Sequence, residues 1–133
     1  MMDKQNRMVL GLGSNYKKEK NMTAAVKWLR ECFADLHFSE PVSTEPIDFC
    51  ASDEPFLNCV AVGTTLHEMD FVKSRLKAIE RMLGRTAEAK RMGHISIDID
   101  LLQWNDTVLK PVDWTRDYIV CGLASLALLS EEA

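Results

Sequence analysis

Four segments of the chain have the hydrophobic pattern of β-strands. Runs of apolar residues, many of them β-branched or aromatic, predict strands at 7–13, 37–44, 56–66 and 94–102. The first runs into two glycines, which indicates a turn at its end, and Pro41 gives the second an edge position or a bulge. Asn105 and Asp106 predict a tight hairpin turn into a short strand at 107–109.

Three further segments carry apolar residues at the spacing of one helix face. They predict helices over about 22–36, with Asn21 as the cap, and over 68–83, ended by Gly84. A third apolar segment, 117–130, predicts a terminal helix. The polar stretches at 47–55 and 85–94 are predicted to be loops.

The order of these elements predicts an α+β fold. Strands and helices follow one another as strand, helix, strand, strand, helix, strand, and then a short hairpin strand and a final helix. This order is typical of a ferredoxin-like sandwich, in which helices cover one face of a mainly antiparallel sheet. The length of 133 residues suits a single domain over 1–133.

Composition bears on the cellular location of this domain, on its partners and on the state of its cysteines. No segment approaches the roughly 20 apolar residues that a membrane span requires, so we expect a cytoplasmic protein without a membrane partner. The net charge of −4 argues against a nucleic-acid partner. The four cysteines lack metal-site spacing and have apolar neighbours, so we expect reduced, buried thiols at Cys32, Cys50, Cys59 and Cys121.

Two aspartates interrupt the strand predicted at 94–102, HISIDIDLL. Because side chains alternate along a strand, Asp98 and Asp100 share one face, roughly 6–7 Å apart. Aspartate is depleted in strands, and two close carboxylates repel each other unless a cation neutralises them. Magnesium typically takes one or two carboxylates together with waters and substrate phosphates. The pair therefore indicates phosphoryl or pyrophosphoryl transfer; the alternative is two solvated side chains on the wet face of a sheet.

A basic segment precedes this strand. Arg85, Lys90 and Arg91 lie within fifteen residues of the aspartates, and such side chains are suited to hold phosphate oxygens. An ordinary solvated loop is the alternative. The neighbouring aspartates favour the phosphate-binding interpretation.

Five short motifs carry a resemblance to a known family. They are LGLGSN at 10–15, STEP at 43–46, FLN at 56–58, IERMLGR at 79–85 and SIDIDLL at 96–102. In this order, and at nearly this spacing, they resemble 6-hydroxymethyl-7,8-dihydropterin pyrophosphokinase. That folate-pathway enzyme moves a pyrophosphoryl group from ATP to a pterin alcohol. The resemblance covers residues 8 to about 109 well and the C-terminal segment loosely.

The resemblance implies a cation site and two ligand sites. Asp98 and Asp100 would hold two Mg²⁺ ions, with Arg85 as a further catalytic residue and ATP as the co-substrate. The pterin site would contain Thr44, Pro46, Ile47, Phe56 and Asn58. The nucleotide site would contain Glu80, Arg91, Leu101 and Arg116. We expect a monomer or a weak homodimer.

The chain departs from the family pattern at several positions. A second arginine of the family is Ala87 here, its stacking tryptophan is Met92, and the arginine before the aspartate strand is Ile95. The segment before Arg116 is shorter and lacks the family's histidine, for which His94 is a possible substitute. These departures leave two alternatives to the enzyme: a relative that binds pterin or nucleotide without efficient turnover, and a ferredoxin-like interaction module with solvated aspartates.

Overall fold

The computed structural model describes residues 5–45 and 54–132 of the chain. Six strands are present in this part: β1 (Asn6–Ser14), β2 (Asp35–Phe38), β3 (Val42–Thr44), β4 (Phe56–Thr65), β5 (Asp98–Trp104) and β6 (Thr107–Val108). Five helices connect or follow them: α1 (Lys18–Cys32), α2 (Met69–Met82), α3 (Ala87–Arg91), α4 (Pro111–Trp114) and α5 (Asp117–Glu132). None of the described helices is both long and apolar enough to cross a bilayer.

The strands form one antiparallel sheet. Its order is β2-β4-β1-β5-β6, and β3 also pairs with β4 beside β2. Strands β1, β4 and β5 occupy the centre, and α1 and α2 make the two crossovers, which confirms the ferredoxin-like α+β fold.

Alternation along the central strands gives the sheet two different faces. Leu10 and Leu12 of β1 and Ile99 of β5 point to one face, where they pack with α1 and α2 in the main core. Val9 and Leu102 point to the opposite face, where a smaller cluster includes Ile119 of α5. The terminal helix therefore covers part of the face that α1 and α2 leave open.

Two sequence predictions about α1 are wrong. The helix begins four residues before the predicted start and ends four residues before the predicted end. Asn21 lies inside the helix, and its side-chain amide donates a hydrogen bond to the Tyr16 carbonyl at 2.7 Å. The cap position belongs to Lys17, whose φ of 44° is left-handed. At the other end, Phe33 is extended and buried, which turns the chain toward β2.

The strand and loop predictions need similar corrections. The predicted strand 37–44 is two strands, β2 and β3, and the predicted loop 85–94 contains the short helix α3. Strand β1 continues through Gly11 and Gly13, so the predicted turn at these glycines is wrong. The hairpin at Asn105 and Asp106 is confirmed, with Asn105 at a φ of 53°.

The cysteines only partly follow the prediction. Cys59 is buried and burial raises the pKa of its thiol, Cys32 is half-buried, and Cys121 is exposed on α5. Burial of Cys121 is therefore a wrong prediction, because its part of α5 faces solvent. Cys50 lies outside the described residues.

Candidate active site

Two glycines of β1 open the second face of the sheet above its central strand. In the β1–β5 register, Gly13 lies opposite Asp98 and Gly11 opposite Asp100. A Cβ at Gly13 would lie 3.0 Å from Asn58 Oδ1, and one at Gly11 would lie 3.0 Å from Leu102 Cδ1. Since these positions carry no side chain, the face is recessed beside the two aspartates.

The recess is the floor of a cleft of about 580 Å³. Its walls come from the end of β3 and the start of β4, from β5, and from the segment that leads into α5. Polar and aromatic side chains line much of this cleft, including Thr44, Phe56, Asn58, Asp98, Asp100, Asp113, Arg116 and Tyr118.

Asp98 is the paired member of the two aspartates. Arg85 Nη1 donates to Asp98 Oδ1 at 2.7 Å and also contacts Glu80 Oε2 at 3.2 Å. Burial would lower the pKa of the Arg85 guanidinium, but the hydrogen bond and charge of Asp98 outweigh it and raise that pKa. Arg85 therefore remains a cation that is bound between two carboxylates.

Glu80 fixes this arrangement from behind the strand. Its residue is only 3 % exposed, and its Oε2 accepts the backbone N–H of Ile99 at 2.8 Å. Helix α2 thus holds the middle of the two-aspartate segment through one buried carboxylate. Glu80, which the resemblance places in the nucleotide site, lines neither this cleft nor a second cleft that shares Asp100 with it.

Asp100 is the less compensated carboxylate. Burial and the negative charge of Asp98 raise the pKa of Asp100 to about 7, with Lys110 acting in the opposite direction. A half-buried acidic pair of this kind is stabilised by a bound cation. Among the described residues, no cluster of three or more metal-ligating side chains occurs. Two hard oxygen donors with room for waters and phosphates fit Mg²⁺ better than a closed protein cage.

The segment that leads into β5 is fastened by the end of β1 and the residue after it. Asn15 Oδ1 accepts the Ile95 N–H at 2.7 Å, and Asn15 Nδ2 donates to the Gly93 carbonyl at 2.9 Å. The Ser14 hydroxyl donates to the Ser96 carbonyl at 2.6 Å. These hydrogen bonds fix the backbone directly before the two aspartates.

The opposite wall offers polar atoms next to an aromatic ring. The Asn58 side-chain amide donates a hydrogen bond to the Thr44 hydroxyl. Phe56, two residues before Asn58 on β4, lines the same cleft. This combination suits a flat heterocycle, whose faces are apolar and whose edge carries hydrogen-bonding groups.

The C-terminal wall brings a paired arginine to the cleft. Arg116 Nε donates to Asp113 Oδ1 at 2.9 Å. Two residues further, burial and the charge of Asp113 raise the pKa of Tyr118 to about 12. The Tyr118 hydroxyl is therefore neutral at physiological pH.

A second cleft, of about 350 Å³, meets the first at Asp100. Leu76 and Leu101 belong to its apolar lining, and three lysines add positive charge: Lys73, Lys77 and Lys110. Asp100 belongs to the lining of both clefts.

The structure brings most of the predicted site residues together. Around the first cleft it places Thr44, Phe56, Asn58, Asp98, Asp100 and Arg116, with Arg85 bonded to Asp98. Leu101 lines the second cleft. Arg91 is exposed on α3 and lines neither cleft. Pro46 and Ile47 lie outside the described residues.

Several residues at the site were missed by the sequence analysis. Asp113, Tyr118 and Lys110 follow the predicted hairpin, where the sequence gives no reliable register, and only the fold returns them to the aspartates. Asn15 had a detectable signal, because a Ser-Asn pair directly after a glycine-containing strand often bonds to neighbouring backbone.

The antiparallel α+β sheet thus carries two aspartates, an arginine bonded to one of them, and two clefts that share Asp100. The family model described as 7,8-dihydro-6-hydroxymethylpterin-pyrophosphokinase (HPPK) matches residues 9–128. The chain belongs to this family.

Two curated relatives agree with this family. A folate synthesis bifunctional protein of Chlamydia muridarum is 34% identical over 107 residues, which are 76% of this chain and 24% of that protein. The chain thus spans about a quarter of that relative. A 2-amino-4-hydroxy-6-hydroxymethyldihydropteridine pyrophosphokinase of Helicobacter pylori is 27% identical over 145 aligned positions, covering 96% of this chain and 85% of that protein.

Among solved structures, one similar chain is the Bacillus subtilis YXEP protein, titled a dinuclear metal binding peptidase of the M20 family. The likeness covers 78% of this chain and 26% of that one, with 9% identity and a TM-score of 0.33. At this level it bears on neither fold nor function.

Proposed function

We propose that the protein transfers a pyrophosphoryl group from ATP to 6-hydroxymethyl-7,8-dihydropterin in a Mg²⁺-dependent reaction. The observation that carries this proposal is the position of Asp100, which lines both clefts beside Asp98. A nucleotide in the lysine-lined cleft and a heterocycle in the polar and aromatic cleft would therefore both lie beside Asp100. Family membership agrees with the same reaction.

The cation is assigned to the two aspartates. Asp98 and Asp100 would hold two Mg²⁺ ions, which would supply positive charge to neutralise the phosphates. Arg85 lies against Asp98 and keeps that carboxylate in place. The contribution of the protein is therefore mainly the positioning of charges before the substrates meet.

The pterin is assigned to the first cleft. Thr44 and Asn58 would recognise the polar edge of the ring, and Phe56 would contact its face. The prediction that Pro46 and Ile47 also contact the ring is retained. In this position the hydroxymethyl oxygen would approach the β-phosphorus of ATP from the side of the aspartates.

The nucleotide is assigned to the second cleft. Leu101 and its apolar neighbours suit the base, and Lys77 and Lys110 suit the phosphates. Glu80 would act on this site through Arg85 and Ile99. Arg91 lines neither cleft, whereas Arg116 lines the first cleft and engages Asp113 through its Nε alone, so its terminal nitrogens would remain for phosphate oxygens.

The reaction is an in-line displacement at the β-phosphorus. The pterin alcohol oxygen forms a bond to that phosphorus, and the bond from it to the AMP oxygen breaks, with the electron pair leaving on AMP. The alcohol proton is released to solvent. We also expect a cytoplasmic location and a monomer or weak homodimer.

A second candidate function is binding of pterin and nucleotide without efficient turnover. The observation that favours it is the state of the arginines, since Arg85 is bonded to two carboxylates and Arg116 to Asp113. A positive group that is already neutralised stabilises transition-state charge less well, and losing one such donor typically costs about 10²–10³ in rate.

Calorimetric titration tests the shared part of both candidates. We expect α,β-methylene-ATP to bind only with Mg²⁺, and the pterin to bind more tightly once the nucleotide is present. Asp100→Asn should abolish the Mg²⁺ requirement together with most of the nucleotide affinity, whereas Lys20→Ala, an exposed change on α1, should change neither. Unaltered nucleotide affinity in Asp100→Asn would rule out this site. The two candidates are then separated by whether AMP forms.

A further inference from the structure

Tyr118, in the first turn of α5, extends across the face of the sheet to Gly11. Its hydroxyl oxygen lies 3.5 Å from the position that a Cβ at Gly11 would occupy. Gly11 is the register partner of Asp100, so the hydroxyl reaches the aspartate end of the cleft. The ring itself packs against the cluster of Val9, Val60, Leu102 and Ile119, which holds it in place.

The Tyr118 hydroxyl is a donor with no acceptor in the described part of the protein. None of the residues at 5–45 or 54–127 receives a hydrogen bond from it. The carboxylates of Asp98, Asp100 and Asp113 are nevertheless near enough to raise its pKa. Burial and these carboxylates raise the pKa of Tyr118 to about 12, against the effect of Arg116. The hydroxyl therefore keeps its proton across the physiological range.

A neutral donor at this place is matched to an anionic oxygen. The hydroxyl belongs to the lining of the open first cleft, where a ligand oxygen can replace water as its hydrogen-bond acceptor. The ligand oxygens that would come closest to Asp100 are those of the phosphate chain, which arrive together with the neutralising cation. A pterin ring edge has its own polar partners at the Thr44 end of the cleft.

We propose that the Tyr118 hydroxyl is a catalytic contact that donates a hydrogen bond to an oxygen of the pyrophosphoryl group being transferred. The inference rests on the proposed function and deepens it, because it adds a neutral donor to the cleft that contains Asp98 and Asp100. The hydrogen bond stabilises the negative charge on this oxygen during the transfer. The proton stays on the tyrosine throughout.

The variant that tests this is Tyr118→Phe, which removes one oxygen and retains the packing ring. We expect kcat to fall about 10–100-fold, the loss typical of a hydrogen bond to a charged group, with KM for the pterin within about twofold of wild type. The affinity for Mg²⁺-bound α,β-methylene-ATP should fall about tenfold, a result that does not depend on turnover. Tyr16→Phe, an exposed tyrosine that lines neither cleft, is the matched control and should match wild type.

The outcomes separate this proposal from the function itself. A Tyr118→Phe enzyme with kcat within threefold of wild type, or one whose loss appears as a raised pterin KM, would overturn the contact with the transferred group. Should the wild type form no AMP at all, the proposed function fails, while nucleotide affinity still decides the contact. Thermal melting of the variant within about 2 °C of wild type would exclude a folding defect as the cause.

Discussion

At the scale of single residues, the two carboxylate oxygens of Glu80 have partners of very different energetic value. Its Oε1 contacts Lys77 at 3.3 Å, but the Lys77 side chain is 65% exposed. Its Oε2 binds Arg85 and the Ile99 N–H, both in the part of the carboxylate that solvent does not reach. Exposed pairs contribute little, whereas an unpaired buried charge is costly.

Glu80→Ala should therefore destabilise the protein by about 3 kcal/mol, because it leaves Arg85 and the Ile99 amide without their buried acceptor. Lys77→Ala removes the other partner of the same carboxylate and should cost less than about 1 kcal/mol. Urea unfolding measures both values. Equal costs for the two variants would contradict the assignment of Glu80 to the support of β5.

The pKa of Asp100 gives a second prediction at this scale. Its pKa of about 7 lies above the value of about 4 expected in the unfolded chain, so the folded protein binds the extra proton between these pH values. The stability due to this group is present at low pH and is lost as pH rises toward 7. Because the cation competes with that proton, Mg²⁺ affinity should rise with pH up to about 7 and then level off.

Calorimetry of Mg²⁺ binding between pH 5.5 and 8.5 checks this dependence, and Asp100→Asn should flatten it. Affinity that stays constant over this range in the wild type would contradict a raised pKa at Asp100.

The sequence predicts the position of residues that follows from a local repeat, such as the alternation of side chains along a strand. Asp98 and Asp100 had to share a face once their segment was a strand, and their face is the one that the structure opens. Tyr118 and Asp113 depend on how the chain returns after the β6 hairpin. The path of the chain there depends on how α5 packs against the sheet. This packing is a long-range contact that no local sequence pattern encodes.

At the scale of elements, the approach of α5 to the sheet determines where Arg116 and Tyr118 lie. Gly122 makes this approach close, because a Cβ there would lie 2.2 Å from Val60 Cγ1 and 3.2 Å from Ser39 Oγ. The Val60 side chain is fully buried and cannot move aside without disturbing β4.

Gly122→Ala should displace α5 from the sheet at a cost of about 1–3 kcal/mol, the usual range for overpacking. It should also weaken pterin binding, since the wall of the first cleft that contains Arg116 and Tyr118 would move with the helix. Cys121→Ala, one position away and exposed, is the matched control and should affect neither property. Denaturant unfolding and pterin titration test both effects, and a Gly122→Ala protein as stable as Cys121→Ala would disprove the close contact.

The hydrogen bonds from Asn15 to the segment before β5 give another prediction for this scale. Asn15→Ala leaves the buried Ile95 N–H without its side-chain acceptor, and we expect a loss of about 1–3 kcal/mol. Hydrogen exchange at Ile95 should accelerate with it, whereas Lys20→Ala should leave both unchanged. If Ile95 remained equally protected, another group would have to hold this segment.

Among the elements, the long periodic segments were predicted well and the short ones were not. Strand β4 and helix α2 differ from their predicted bounds by one residue at the end or at both ends, because a long apolar period leaves few alternatives. The split between β2 and β3 arises because both pair with β4 at separate registers, which only the assembled sheet determines. Helix α3 is five residues long and too short for a period to reveal.

At the scale of the whole molecule, one face of the sheet forms the core and the other carries the candidate site. One face packs on α1 and α2 and forms the main core. The other face carries two glycines where larger side chains would fill the space, and two aspartates where apolar ones would pack better. Strand β5 contributes to both faces, so the core that holds Ile97, Ile99 and Leu101 also holds the carboxylates between them.

The central claim is that the two clefts that share Asp100 hold the two substrates of one transfer reaction. The most direct measurement is AMP formation from ATP by the purified protein, with Mg²⁺, in the presence and absence of 6-hydroxymethyl-7,8-dihydropterin. We predict AMP in amounts equal to the pyrophosphorylated pterin, only when pterin and Mg²⁺ are both present, and none with Asp98→Ala. Pterin-independent AMP, or no AMP although both ligands bind, would contradict the claim that this site performs the transfer.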